Sequence, residues 1–172
     1  MEKYNDHFKQ FDHSVSKCKI DRKNNNGAAT LLLTSPNTNG TFGHLAMIVH
    51  EDVTKPPFTL PQNDDKKRYV SFTNMRHTVG VMITGTKAYH VGFGRDLENV
   101  DKTITIYNVD AKKVLEAWDL TKTSNQMFDL MNWNCARTVL AALQKGYPDC
   151  DMHLKQLWTP TRAFEYIEDV RY

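Results

Sequence analysis

Apolar residues follow two successive rhythms along this chain. From residue 28 to residue 109 they come in short runs closed by turn residues, which is the signature of strands. Ala28 to Thr34, bounded by Gly27 and Pro36, reads as a buried strand. Phe42 to Val49 reads as a second, with Leu45, Met47 and Val49 on one face and His44, Ala46 and Ile48 on the other. A strand apolar on both faces is one covered on both sides. Tyr69–Thr73, Thr78–Thr84 and Thr103–Val109 continue the same chemistry. Between these runs, Asn37–Gly40 is a turn, Thr54–Lys67 is a loop interrupted by Pro56, Pro57 and Pro61, and Gly92 and Gly94 mark a turn or a close backbone approach. Residues 1–27 have weak periodicity and are expected to form an arm with a short helix near Tyr4–Phe11, leaving 28–172 as one domain.

After residue 109 the period changes. Asp110 can cap a helix to about Leu120, with Val114, Leu115 and Trp118 on one apolar face. A second helix opens at Cys135 behind Asn134 as N-cap, buries Val139, Leu140 and Leu143, and stops at Gly146. A third starts with Thr159 as cap and Pro160 at the first helical position, and runs to about Val170. Strands first and helices mostly later predict an α+β fold, an antiparallel sheet packed against helices.

Composition narrows the function classes. The 172 residues carry 22 basic and 20 acidic side chains, and the charges are scattered. The one short basic run, Lys66-Lys67-Arg68, directly follows Asp64-Asp65 and reads as a solvated loop. A nucleic-acid or membrane-surface footprint would need a basic stripe, so no nucleic-acid partner is expected. No segment reaches the roughly 18 consecutive apolar residues of a membrane span. Met1–Arg22 lacks the apolar core of a secretory signal, so a cytoplasmic product as synthesised is expected, with export by a specialised system left open. Cys18, Cys135 and Cys150 form no C-x-x-C pair, and three free thiols are the simplest expectation, a Cys135–Cys150 disulfide being the alternative.

Cys135 stands where chemistry is cheapest to arrange. At the first turn of a helix, unpaired N–H groups and the helix dipole stabilise a thiolate, which is the nucleophilic form of the side chain. The plainer alternative is a buried structural cysteine. A nucleophilic thiol needs a base within hydrogen-bond reach. Of seven histidines, His44 is the one inside a strongly apolar strand, beside Gly43, which would admit a substrate or a neighbouring backbone. His50 lies at the strand's end and reads as a spectator, as do His77 and His90 in loop or strand-edge settings. No H-E-x-x-H occurs and the carboxylates are not clustered with histidines, so neither a metal nor a cofactor is expected.

Two segments together resemble a known group. Gly43-His44-Leu45-Ala46-Met47-Ile48-Val49 is similar to the histidine strand, and Asn132-Trp133-Asn134-Cys135-Ala136-Arg137-Thr138-Val139-Leu140-Ala141-Ala142-Leu143 to the Asn-Cys helix, of circularly permuted papain-like proteins. That group is the permuted branch of the NlpC-type peptidase superfamily. Its members include lecithin:retinol acyltransferase-like enzymes, permuted deubiquitinating and deSUMOylating peptidases, and several bacterial effectors. Histidine before cysteine is the permuted order. Tyr69-Val70-Ser71-Phe72 resembles the strand after the histidine strand, and Thr159-Pro160 the start of the final helix.

The resemblance implies a permuted papain-like fold and a cysteine hydrolase with Cys135 as nucleophile and His44 as base. The third polar residue would be Ser71 or Tyr69, both of the right parity on a neighbouring strand. N–H groups at the start of the Cys135 helix would form part of an oxyanion hole, and Asn134 would act as cap or as a substrate contact. The implied substrate is an amide in a protein, a peptide or peptidoglycan, and the chain would act as a delivered effector toxin. Asn134-Cys135-Ala136-Arg137 departs from the Asn-Cys-Glu-His of the acyltransferase relatives, which leaves an acyl-ester hydrolase or acyltransferase as the second enzyme reading. A catalytically inactive binding module on the same fold is the reading from another class. An immunity or host partner is not read from the sequence.

Overall fold

The computed structural model describes residues 26–36, 43–54, 68–74, 86–89, 100–124, 126–129, 132–147 and 150–170. Its strands are β1 (Gly27–Thr34), β2 (His44–His50), β3 (Tyr69–Val70), β4 (Thr73–Asn74), β5 (Thr86–Tyr89), β6 (Lys102–Val109) and β7 (Met127–Phe128). Its helices are α1 (Ala111–Thr123), α2 (Cys135–Gly146) and α3 (Pro160–Val170). The expected Tyr4–Phe11 helix, the Thr78–Thr84 strand and the Gly92–Gly94 turn lie outside the described residues, as do His77 and His90.

The main sheet has four antiparallel strands in the order β3-β2-β1-β6. β1 lies at its centre, and seven of its eight residues are buried, which is why its sequence shows no polar face. Alternate residues supply two layers. Ala29, Leu31, Leu33, Leu45, Met47, Val49, Ile104 and Ile106 face the helices. Leu32, Ala46, Ile48 and Tyr69 form a separate cluster with Val100 packed against it. Each fully buried leucine of the main layer contributes on the order of 2 kcal/mol.

α2 lies against β2 with α1 and α3 as its helical neighbours. Both flanking helices start as the sequence indicates. The Asp110 side chain accepts from Lys113 N at 3.3 Å, and Thr159 Oγ1 accepts from Arg162 N at 3.3 Å. α2 stops at Gly146 as expected, with Tyr147 as the C-cap, and a Cβ on Gly146 would stand 2.6 Å from Val114 Cγ2. Its small size therefore serves the packing of α1 on α2 and does not form a left-handed stop.

The strand expected over Tyr69–Thr73 divides. Its first part, β3, pairs with β2, while its continuation, β4, leaves for a second sheet of order β4-β5-β7. β7 leads into the turn before Cys135, so this small sheet links the chain beyond Ser71 to the approach of α2. Among the described residues, no helix is long and apolar enough to cross a membrane.

Candidate functional site

The site forms where β2 begins, where β3 parts from β4, and where α2 opens. Gly43 immediately precedes β2; its φ of +78° favours glycine, and a Cβ there would lie 2.6 Å from the Thr34 carbonyl oxygen. The close neighbour at Gly43 is therefore the backbone of β1. This tight entry sets His44 as the first strand residue.

His44 holds two partners at once. Its Nε2 lies 2.9 Å from Ser71 Oγ, and its ring is hydrogen-bonded to the Cys135 thiol. In the imidazolium form both ring N–H groups donate, one to the serine hydroxyl and one to a thiolate. Ser71 is 1% exposed, so its hydroxyl faces the ring away from competing water. Tyr69, the other residue of matching parity, pairs with Ile48 and packs with Leu32 and Ala46 further along the sheet.

Cys135 is a free thiol and is buried. Burial pushes its pKa up, but the hydrogen bond and charge of His44, with N–H groups of Leu45 and Ala136 donating to sulfur, outweigh that effect and hold it below the ordinary thiol value. The arrangement can therefore store a thiolate–imidazolium pair beside preorganised backbone donors.

Asn134 fixes the mouth of α2. Its Oδ1 accepts from Arg137 N at 2.9 Å, and its Nδ2 donates to the Trp158 carbonyl at 2.6 Å. Both ends of the amide are thus engaged in holding the Cys135 turn to the segment before α3. Ahead of it, Asp129 and Trp133 exchange two backbone hydrogen bonds of 2.8 and 2.9 Å, and the Asp129 carboxylate accepts from Asn132 N and Nδ2. Arg137 folds back over this turn, with Cζ 4.9 Å from the Trp133 ring centre and Nη1 donating to the Asn132 carbonyl.

No family model, curated protein or solved structure matches this chain.

His50 stands at the end of β2, as expected, and is buried there, its Nε2 lying 3.0 Å from Thr30 Oγ1, which in turn lies 2.9 Å from Thr105 Oγ1. Burial and the nearby Arg68 charge lower its pKa. Cys150 is disulfide-bonded, which corrects the expectation of three free thiols, and with Cys135 free it also removes a Cys135–Cys150 bridge. Cys18 lies outside the described residues. The Leu45 N–H at sulfur was not anticipated, since the residue type gives no signal and a backbone donor is visible only once strand register is known. The Trp133–Arg137 stack also escaped the sequence reading, although an aromatic and a cation four apart across a helix start is a recognisable spacing. Among the described residues, no group of three or more metal-ligating side chains gathers.

Proposed function

We propose that this chain is a cysteine hydrolase that cleaves an amide bond through a thioester, with Cys135 as nucleophile, His44 as base and Ser71 as the residue that orients the imidazole. The observation that carries the reading is the single imidazole engaged on one side by a thiol and on the other by a buried hydroxyl 2.9 Å away. A structural cysteine needs no such base, and a structural histidine needs no thiol. The similarity of residues 43–49 and 132–143 to the permuted papain-like group is a second support, since the histidine strand precedes the cysteine helix there too. A permuted papain-like fold is part of the proposal, and an antiparallel sheet packed against a central cysteine helix is compatible with it.

In the proposed reaction the thiolate attacks the amide carbonyl and forms a C–S bond, while the carbonyl π pair moves to oxygen. Collapse re-forms the carbonyl and expels the amine, which takes its proton from the His44 imidazolium. His44 then removes a proton from water as it attacks the thioester, releasing the acid and regenerating the thiol. The alternative substrates, an ester or an acyl acceptor other than water, would use the same steps.

Alkylation by iodoacetamide across pH tests the nucleophile. Rapid labelling of Cys135 well below pH 8, lost in Cys135→Ala and slowed in His44→Ala, is the expected result. Slow labelling that rises only near the ordinary thiol value of about 8.5 would instead mark an inactive binding module. A proteome-wide search for cleaved substrates, wild type against Cys135→Ala, then identifies the bond.

A further inference from the structure

The registers of β1, β2 and β3 determine where the Leu45 backbone points. Asp101 N donates to the Leu33 carbonyl at 2.8 Å, so the peptide groups of Leu33 face β6. Leu33 stands opposite Leu45 in the antiparallel β1–β2 ladder. The pair is therefore of the non-hydrogen-bonded kind, and the N–H and C=O of Leu45 turn away from β1 toward the β3 side. Met47 has the same parity and is paired there with Val70. One step further along, the ladder would place Phe72 opposite Leu45. But β3 ends at Val70, and the chain resumes pairing only as β4 at Thr73, against β5. The division of the strand thus releases one in-strand donor, in a place where a buried N–H without an acceptor would be costly. Its acceptor is the Cys135 sulfur.

We infer that the Leu45 backbone N–H is a catalytic donor, holding the Cys135 sulfur while that atom is anionic and then the substrate oxygen as charge moves onto it. The inference rests on Cys135 being the nucleophile. In the tetrahedral intermediate the oxyanion sits on the carbon bonded to sulfur, so donors gathered around sulfur are already beside it. When the C–S bond forms, sulfur ceases to be an anion and its N–H partners are freed at the moment the oxygen needs them. The Ala136 N–H comes from a helix start and the Leu45 N–H from a strand. Neither has to reorganise, which is what makes such donors effective. His44 and Leu45 are consecutive, so one turn of chain delivers the base and the donor together.

Replacing the Leu45 amide by an ester, with the α-hydroxy analogue of leucine at position 45, deletes this one hydrogen. The same change at Met47 is the control, because its N–H faces β3 within the intact ladder. Both esters weaken a carbonyl facing β1, so that effect is common to the two. The Leu45 ester is expected to raise the pH midpoint of Cys135 alkylation and to cut acylation by a peptide substrate or reporter thioester about 10²–10³-fold. The Met47 ester should lower the melting temperature without moving the midpoint. In the unaltered protein, the Leu45 amide resonance should shift along the Cys135 titration while that of Met47 stays flat, a measurement that needs no variant to fold. An unchanged midpoint and rate in the Leu45 ester, or a flat Leu45 resonance, overturns the inference. Slow alkylation of the wild type would remove the nucleophile itself and the inference with it, and the wild-type rate tells the two failures apart.

Discussion

At Cys135 two opposing effects act on one atom. Removal from water favours the neutral thiol, and an imidazole with two backbone donors favours the thiolate. The second effect prevails only while His44 stays aimed, so the pair should be sensitive to Ser71. A hydrogen bond to a charged group contributes roughly 1.5–3 kcal/mol, so Ser71→Ala should slow Cys135 alkylation at neutral pH about 10–100-fold. Ser71→Thr, which keeps a hydroxyl, should recover part of the rate. His44→Ala should lower any hydrolytic turnover further, by about 10²–10⁴-fold, as expected for loss of a general base. His50 answers to different physics. Its folded pKa lies below the unfolded value because burial and Arg68 disfavour the cation. Above the unfolded pKa neither state binds the proton and no stability is lost. As pH falls through the window between the unfolded and folded values, the unfolded state takes up more protons, and stability declines until the folded pKa is passed. Melting curves between pH 7 and pH 4 should show this acid-side loss, and His50→Gln should flatten part of it.

Among the elements, α2 has the most depending on its first turn. Asn134 accepts from Arg137 N and donates to the Trp158 carbonyl, so Asn134→Ala removes a cap and a tertiary tie together. The cap alone is worth about 1 kcal/mol. Denaturant unfolding should show at least that loss, and alkylation of Cys135 should slow as the mouth of the helix loosens. Asn134→Asp, which can still cap, should lose less stability than the alanine. The same element shows why parts of the molecule could be read from sequence. Asn134 before Cys135, Asp110 before Ala111 and Thr159 before Pro160 are local signals, and the caps form where those residues stand. β1 and β2 were legible because continuous apolar runs between turn residues have few other uses. The split of the third strand was not, since nothing in Tyr69-Val70-Ser71-Phe72-Thr73 states that pairing ends at Val70 and restarts with another partner. β5 and β7 were missed for a related reason: four and two residues are too short for a periodic pattern, and their pairing partners lie far away in sequence. Ser71 was foreseen as one of two parity choices. Only the register separates it from Tyr69.

For the molecule as a whole, the sheet and its helices form one layer pair, and the site lies at the border where the second, smaller sheet begins. Residues from β2, the β3–β4 junction and α2 meet there, so the constellation exists only when the whole domain is assembled. Among the described residues the two cysteines differ in redox state, Cys135 being a free thiol and Cys150 disulfide-bonded. Alkylating the denatured but unreduced protein should label Cys135 and spare Cys150, and peptide mapping by mass spectrometry reads this directly. Label on Cys150 without reductant would contradict the assignment. The coexistence of these two states sets a practical constraint. A reducing agent strong enough to keep Cys135 from oxidising also threatens the bridge at Cys150, while air that preserves the bridge invites sulfenic acid or mixed disulfides at Cys135. Preparations of this protein should therefore differ in reactive Cys135 content with their handling history, and titrating that thiol, rather than weighing protein, would be the sound basis for comparing them.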